Sequence, residues 1–219
     1  MLRASAATAC AALIVVPGAL ASAPAPTLTA NRACYINRTT APAQMRITGS
    51  GFPPDVQISI AGGTVTAQAQ TDATGAFVLT VAAPQLASPG PGTLATRLTA
   101  TAPDQTTAAT TRVLSTNLAV ALTPSSITAR EIPRRRVSFS FSGFTPGRHI
   151  YGYWLRRHVV ARTRFGRAAG PCGTLTQRAL LFPGGHPNAR QYEVAFESLA
   201  RYERRARPRV SGRLSILGP

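Results

Sequence analysis

The chain has 219 residues, 24 of them arginine and none lysine, against 7 acidic residues, for a formal net charge of +17. Such an excess excludes an acidic surface and points either to an anionic partner or to guanidinium groups that simply keep the chain solvated. The cysteines and histidines are scattered at no metal-ligand spacing, and no cofactor motif is present.

In chain order, the first element is a leader. Met1-Leu2-Arg3 carries one positive charge, and an Ala-rich apolar run extends to about Leu20 around Leu13-Ile14-Val15-Val16. Ala19-Leu20-Ala21 and Ala21-Ser22-Ala23 both offer small residues for cleavage. This layout predicts a secretory signal peptide over residues 1–21, cut after Ala21 because the other site places Pro24 directly behind the cut. A retained anchor is the alternative, but the run is shorter than the roughly 20 residues that span a bilayer. No transmembrane segment is expected after cleavage. Cys10 precedes the apolar centre, a poor position for lipid attachment. The expected location is extracellular or in the cell envelope. Arginine without lysine, with abundant Ala, Gly and Pro, suggests a GC-rich bacterial genome. Codon bias does not explain the scarcity of Asp and Glu, whose codons are also GC-rich. Residues 22–116 hold 5 Arg against 3 Asp, whereas residues 117–219 hold 18 Arg against 4 Glu.

Beyond the leader the pattern is β. Met45 and Ile47 share a face, as do Val56, Ile58 and Ile60, then Phe77, Leu79 and Val81, then Leu94 and Leu98. In the second half Leu118, Val120 and Leu122 alternate, followed by Val137, Phe139 and Phe141, by Tyr192, Val194 and Phe196, and by Leu214 and Ile216. Period-two alternation in short runs predicts half-buried strands. Pro and Gly punctuate them at Pro53-Pro54, Pro89-Gly90-Pro91-Gly92, Pro146-Gly147 and Pro183-Gly184-Gly185. Residues 198–207 read as a long strand connection.

One phrase is written twice. Ser50-Gly51-Phe52 recurs as Ser142-Gly143-Phe144, Pro54 as Pro146 and Ile58 as Ile150, always 92 residues on. A repeat of this length, with some seven short strands per copy, suits tandem sandwiches. Pro146-Gly147 predicts a type II turn, with Pro fixing one corner and Gly accepting positive φ at the next. The phrases GSGFPP and FSGFTPG, with TDATGAF, resemble the bacterial immunoglobulin-like repeats of secreted and cell-surface proteins. The resemblance covers most of residues 28–217. It implies two immunoglobulin-like β-sandwich domains, over 28–116 and 117–219, and a role as spacer, adhesive module or accessory domain. The second copy departs from the pattern where RFGRAAGPCGTL replaces TDATGAFVLT, which leaves equivalence there open.

The repeat assigns inward faces. Ile150, Gly152 and Trp154 should face the core, a Trp on this strand being familiar in such sandwiches. His149, Tyr151, Tyr153 and Leu155 then share the opposite face, where the first copy has Gln57, Ser59 and Ala61. The aromatic strip His149, Tyr151 and Tyr153 is either a stacking surface for a flat ligand or a face covered by a neighbouring loop or domain.

No nucleophile elbow, zinc-protease helix or Walker loop is present. His149, His158 and His186 read as surface or packing residues. Glu193 and Glu197, about 13 Å apart along a strand, exceed glycosidase carboxylate spacing of roughly 5 to 9.5 Å and read as offsets to nearby arginine. The chain is not expected to be an enzyme. Arg134, Arg135, Arg136, Arg156 and Arg157 lie in two loops expected at one pole, where guanidinium groups would suit phosphate or carboxylate. The alternative is a solvated surface. No DNA-reading helix is evident. Cys34 and Cys172 should both approach the junction of the two domains; they either pair or stay as separate buried thiols. The resulting expectation is a non-catalytic module of the cell envelope whose basic second domain meets an anionic wall polymer or acidic glycan. A purely structural extracellular spacer is the alternative, and an accessory or inhibitory module of a secreted enzyme system is the third reading.

Overall fold

Short alternating strands must find backbone partners outside themselves, so the chain condenses into sheets. The computed structural model describes residues 24–38, 41–124, 131–132, 134–183 and 191–215. The leader expected over 1–21, His186, Ile216 and the Gly184-Gly185 turn lie outside these residues. The described chain is all β. Its first half contains β1 (Thr27–Ala30), β2 (Tyr35–Asn37), β3 (Gln44–Ser50), β4 (Gln57–Gly62), β5 (Val65–Gln70), β6 (Phe77–Ala82), β7 (Thr93–Thr101) and β8 (Ala108–Asn117). The second half contains β9 (Ala119–Thr123), β10 (Arg136–Ser142), β11 (His149–Leu155), β12 (Val159–Arg167), β13 (Leu175–Leu180), β14 (Gln191–Glu197) and β15 (Arg209–Ser215).

The sheet orders are β1-β3-β6 and β2-β8-β7-β4-β5 in the first half, then β9-β10-β13 and β12-β11-β14-β15 in the second. This is an immunoglobulin-like β-sandwich architecture. Pairing is antiparallel except for β2, which lies parallel to β8 with Tyr35 opposite Ser115. One hydrophobic core gathers Tyr35, Met45, Ile47, Phe52, Ile58, Ile60, Phe77 and Leu98. Each such side chain contributes about 1.5 to 3 kcal/mol by leaving water. The other core is aromatic and includes Ile150 and Trp154 as well as Phe139, Phe141, Phe144, Phe165 and Phe196. Phe165 meets Phe139 tilted at 5.0 Å and Phe141 edge-on at 4.9 Å, geometries that add about 0.5 to 1.5 kcal/mol per pair.

The 92-residue repeat is a repeat of register. Leu28 pairs with Gly49, and Val120 with Phe141. Ala30 pairs with Ile47, and Leu122 with Phe139. Gly51 and Gly143 take φ of 78° and 79°, while Asp55 at 54° holds the place of Gly147 at 74°. The Arg148 N–H donates to the Thr145 carbonyl at 3.2 Å, closing the turn expected at Pro146-Gly147.

At RFGRAAGPCGTL the equivalence holds with a displacement. Gly49 pairs with Phe77 in the first half, and Phe141 pairs with Leu175 in the second. Phe77 and Leu175 are 98 residues apart, so the second copy carries six extra residues in this connection. Gly75 and Gly173 do the same work on either side of it. The Phe52 N–H donates to the Gly75 carbonyl, and the Phe144 N–H to the Gly173 carbonyl, both at 3.2 Å. Neither glycine has room for a Cβ, which would fall 1.9 Å from the Phe52 oxygen and 1.6 Å from the Phe144 oxygen. The matching element is a backbone contact, so side-chain comparison does not reveal it.

The two halves meet tightly. Leu118 alone separates β8 from β9. Its N–H donates to the Asn37 carbonyl at 3.0 Å. Asn117 donates from Nδ2 to the Ser88 carbonyl at 2.7 Å and accepts the Ser142 hydroxyl at 2.6 Å on its own carbonyl. Gly143 sits against Leu118 and Ile36, where a Cβ would fall 2.8 Å from the Leu118 Cα. Cys172, held in place as its carbonyl accepts the Gly143 N–H at 3.0 Å, is joined to Cys34 by a disulfide with a Cα–Cα distance of 5.3 Å.

Gly173→Ala meets both a left-handed φ and a backbone oxygen, and should cost about 3 kcal/mol in urea unfolding of the second half. Gly147→Ala meets only the left-handed φ, with nothing within 4 Å, and should cost about 1 kcal/mol. Cys34→Ser with Cys172→Ser should lower the unfolding free energy by up to about 5 kcal/mol, the chain-entropy value for a 138-residue separation. Mass mapping without reductant should recover the two cysteine peptides joined.

Candidate anion-binding surface

Arg134, Arg135 and Arg136 enter β10, and Arg156 and Arg157 leave β11. Arg136 lies opposite Leu180. The chain beyond Leu180 carries Phe182 edge-on to Trp154 at 6.3 Å, and Trp154 closely precedes Arg156-Arg157. That ring contact ties the chain just beyond β13 to the end of β11. All five arginines are exposed. Arg135 is held by Glu131, Nη1 to Oε1 at 2.5 Å. The other four make no ion pair among the described residues.

The aromatic strip does not form an open stacking face. Tyr153 is 2% exposed. Its hydroxyl donates to the Leu199 carbonyl at 2.7 Å, and its ring meets Tyr202 edge-on at 5.5 Å. The 198–208 connection thus lies over it, which is the covered alternative. Tyr151 has the Arg162 guanidinium 4.8 Å from its ring centroid. His149 is tied down at both nitrogens. Nε2 lies 2.7 Å from Arg164 Nη2, which can only donate, so Nδ1 carries the proton offered to the Phe165 carbonyl at 3.0 Å.

Arg209 clasps the 198–208 connection to the sheet. Its guanidinium donates to Glu193 Oε1 at 2.9 Å, to the Tyr202 hydroxyl at 3.1 Å and to the Arg204 carbonyl at 2.8 Å. It also lies 5.0 Å from the Tyr202 ring centroid. Glu193 therefore offsets an arginine as expected, but Glu197 does not. Glu197 is fully buried, and its Oε1 accepts the Glu203 N–H at 3.0 Å. Among the described residues, Oε2 has no hydrogen-bond partner. Burial pushes this carboxyl above the ordinary carboxylate range, opposed by the Glu203 N–H and by Arg209.

Clasping this connection opens a second basic feature that the sequence did not reveal as a site. Arg38, Leu118, Arg204, Arg205, Ala206, Arg207, Pro208, Arg209 and Ser211 line a cleft of about 580 Å³ where the two halves meet. Its sequence signal is the basic run RYERRARPR, residues 201–209. Arg38, at the end of β2 in the weakly charged half, carried no signal.

Among the described residues no group of three His, Cys, Asp or Glu could hold a metal ion. No helix among them is long and apolar enough to cross a membrane. The disulfide fits an oxidising compartment.

No family model matches the chain, and no curated protein matches it in sequence. Similar solved structures include bovine butyrophilin, at 9% identity over 88% of this chain and 99% of that one, with a TM-score of 0.34. The human OSCAR ligand-binding domain follows at 12% identity, covering 88% and 98%, with a TM-score of 0.32. The fibronectin(III)-like modules of Clostridium thermocellum CbhA give 10% identity, 87% and 94% coverage and a TM-score of 0.31. The likeness concerns fold alone.

The Glu197 carboxyl makes stability depend on pH with a definite sign. A carboxyl raised on folding contributes stability below its unfolded pKa, and that contribution is lost as pH rises through the folded value. Glu197→Gln keeps an oxygen for the Glu203 N–H and removes the buried charge. Relative to the parent chain, it should gain stability steadily as pH rises from about 4.5 towards neutrality, measured as melting temperature against pH. Parallel curves for the two proteins would show that Glu197 is not the titrating group.

Proposed function

We propose that the chain is a non-catalytic, exported module of the bacterial cell envelope. Two immunoglobulin-like domains, over 28–116 and 117–219, form it. Its basic second domain holds an anionic partner, a wall polymer or an acidic glycan. One observation carries this reading: the second half has 18 Arg against 4 Glu, while among the described residues only Arg135 and Arg209 are engaged in ion pairs. Guanidinium groups left without carboxylates on one side of a molecule create a field that attracts polyanions and is screened within about 8 Å at physiological salt. The signal-like leader and the disulfide support an envelope location. Arg134, Arg136, Arg156 and Arg157 supply a pole where that field concentrates.

A purely structural spacer is the second reading, favoured by the single-residue connection at Leu118 and the disulfide beside it. The two readings part on isolated cell wall. Under the first, the mature chain is retained at low salt and released as ionic strength passes about 0.3 M. Arg156→Ala with Arg157→Ala should then reduce retention several-fold, while Arg97→Ala with Arg112→Ala, an equal loss of charge in the first half, should leave it nearly unchanged. Absence of retention at low salt would support the spacer, and salt-independent retention would exclude an electrostatic partner.

A further inference from the structure

We infer that the cleft between the two halves is a binding site for a linear, phosphate-bearing polyanion. This rests on the reading of an anionic partner and gives that partner a seat and a chemical class. Arg38, Arg204, Arg205 and Arg207 all line the cleft. All four residues are exposed, and none makes an ion pair among the described residues. Among the described residues, no carboxylate lines the cleft. Arg209 also lines it but is committed to Glu193, Tyr202 and the Arg204 carbonyl. It fixes the backbone that carries its neighbours, so the basic loop is ordered before a ligand arrives.

The rest of the lining sets the class. Leu118, Ala206, Pro208 and Ser211 offer no aromatic face to a sugar ring or a nucleobase. Recognition must then pass through oxyanions. A row of separate guanidinium forks suits charges repeated along a backbone, each phosphate taking two parallel N–H donors. A single small anion would leave most of the row idle.

The cleft also joins the halves. Arg38 follows β2, four residues after Cys34, whereas Arg204, Arg205 and Arg207 belong to the connection before β15. Neither half contains the full set. The site is complete only while Leu118 and the Cys34–Cys172 bond hold the halves in place.

The test is calorimetric titration of the full disulfide-bonded chain with inorganic polyphosphate at low salt, with polyglutamate of matched charge as the carboxylate arm. Polyphosphate should bind more tightly. Arg204→Ala with Arg205→Ala and Arg207→Ala should weaken it by at least about tenfold, and Arg38→Ala alone by about threefold. Replacing the three loop arginines by lysine keeps the charge and removes the forks; it should bring polyphosphate and polyglutamate close to equal affinity. Arg97→Ala with Arg112→Ala should change little. A polyglutamate affinity equal to or above that of polyphosphate for the parent chain overturns the phosphate class. A loss caused by Arg156→Ala with Arg157→Ala but not by the cleft variants overturns the location. Should the triple alanine variant fold poorly, the lysine variant and Arg38→Ala decide the matter. Salt-sensitive wall retention with inert cleft variants would sink this inference alone. Cleft-dependent polyphosphate binding without wall retention would sink the wall reading alone.

Discussion

A backbone contact with no room for a side chain organises this molecule twice. In each half, a Phe N–H meets the carbonyl of a glycine whose absent Cβ would strike the Phe oxygen. The contact closes one end of the sandwich and seats Phe52 or Phe144 in its core. In the second half it does more, because Cys172 immediately precedes Gly173. The same corner that packs Phe144 presents a sulfur to Cys34. It also holds Gly143 against Leu118, so core closure and the junction between the halves are one event.

Differences between the two copies build on that shared frame. Small side chains at Ser59 and Ala61 leave the first sheet bare, whereas Tyr151 and Tyr153 at the matching positions give the second sheet an apolar outer face. Tyr153, Leu155 and Ala195 bury there with Tyr151 and Tyr202 packed against them. A connection drawn over that face must end somewhere, and it ends at the junction with its arginines outward. The connection that covers the aromatic surface beside β11 also carries the arginines that line the cleft with Arg38.

What could be seen from sequence was local. Ile58 and Ile150 declare their inward faces by alternation, and Pro146-Gly147 declares its turn. The short β2 could not be read, because three residues show no period and its partner β8 lies far along the chain and runs parallel. The six-residue insertion before Gly173 hid the repeat because a carbonyl has no letter in a sequence. The cleft was hidden for another reason. Arg38 and Arg204 become neighbours only through the docking of the halves, and Arg209 becomes a clasp only once Tyr202 lies beneath it. Glu197 looked like a surface residue because alternation reports which face of a strand a residue occupies, not whether a later segment crosses that face.

The bond between Cys34 and Cys172 also alters how the molecule carries tension. A pull applied outside the two cysteines does not travel along the chain between them. It crosses directly through the sulfurs, bypassing a stretch 138 residues in separation. Most strands of both halves lie inside that shunt, including β2 to β12. They bear no direct load even when the ends of the chain are drawn apart. Only β1 and the strands from β13 onward lie on the loaded path, among them β15, whose first residue is Arg209.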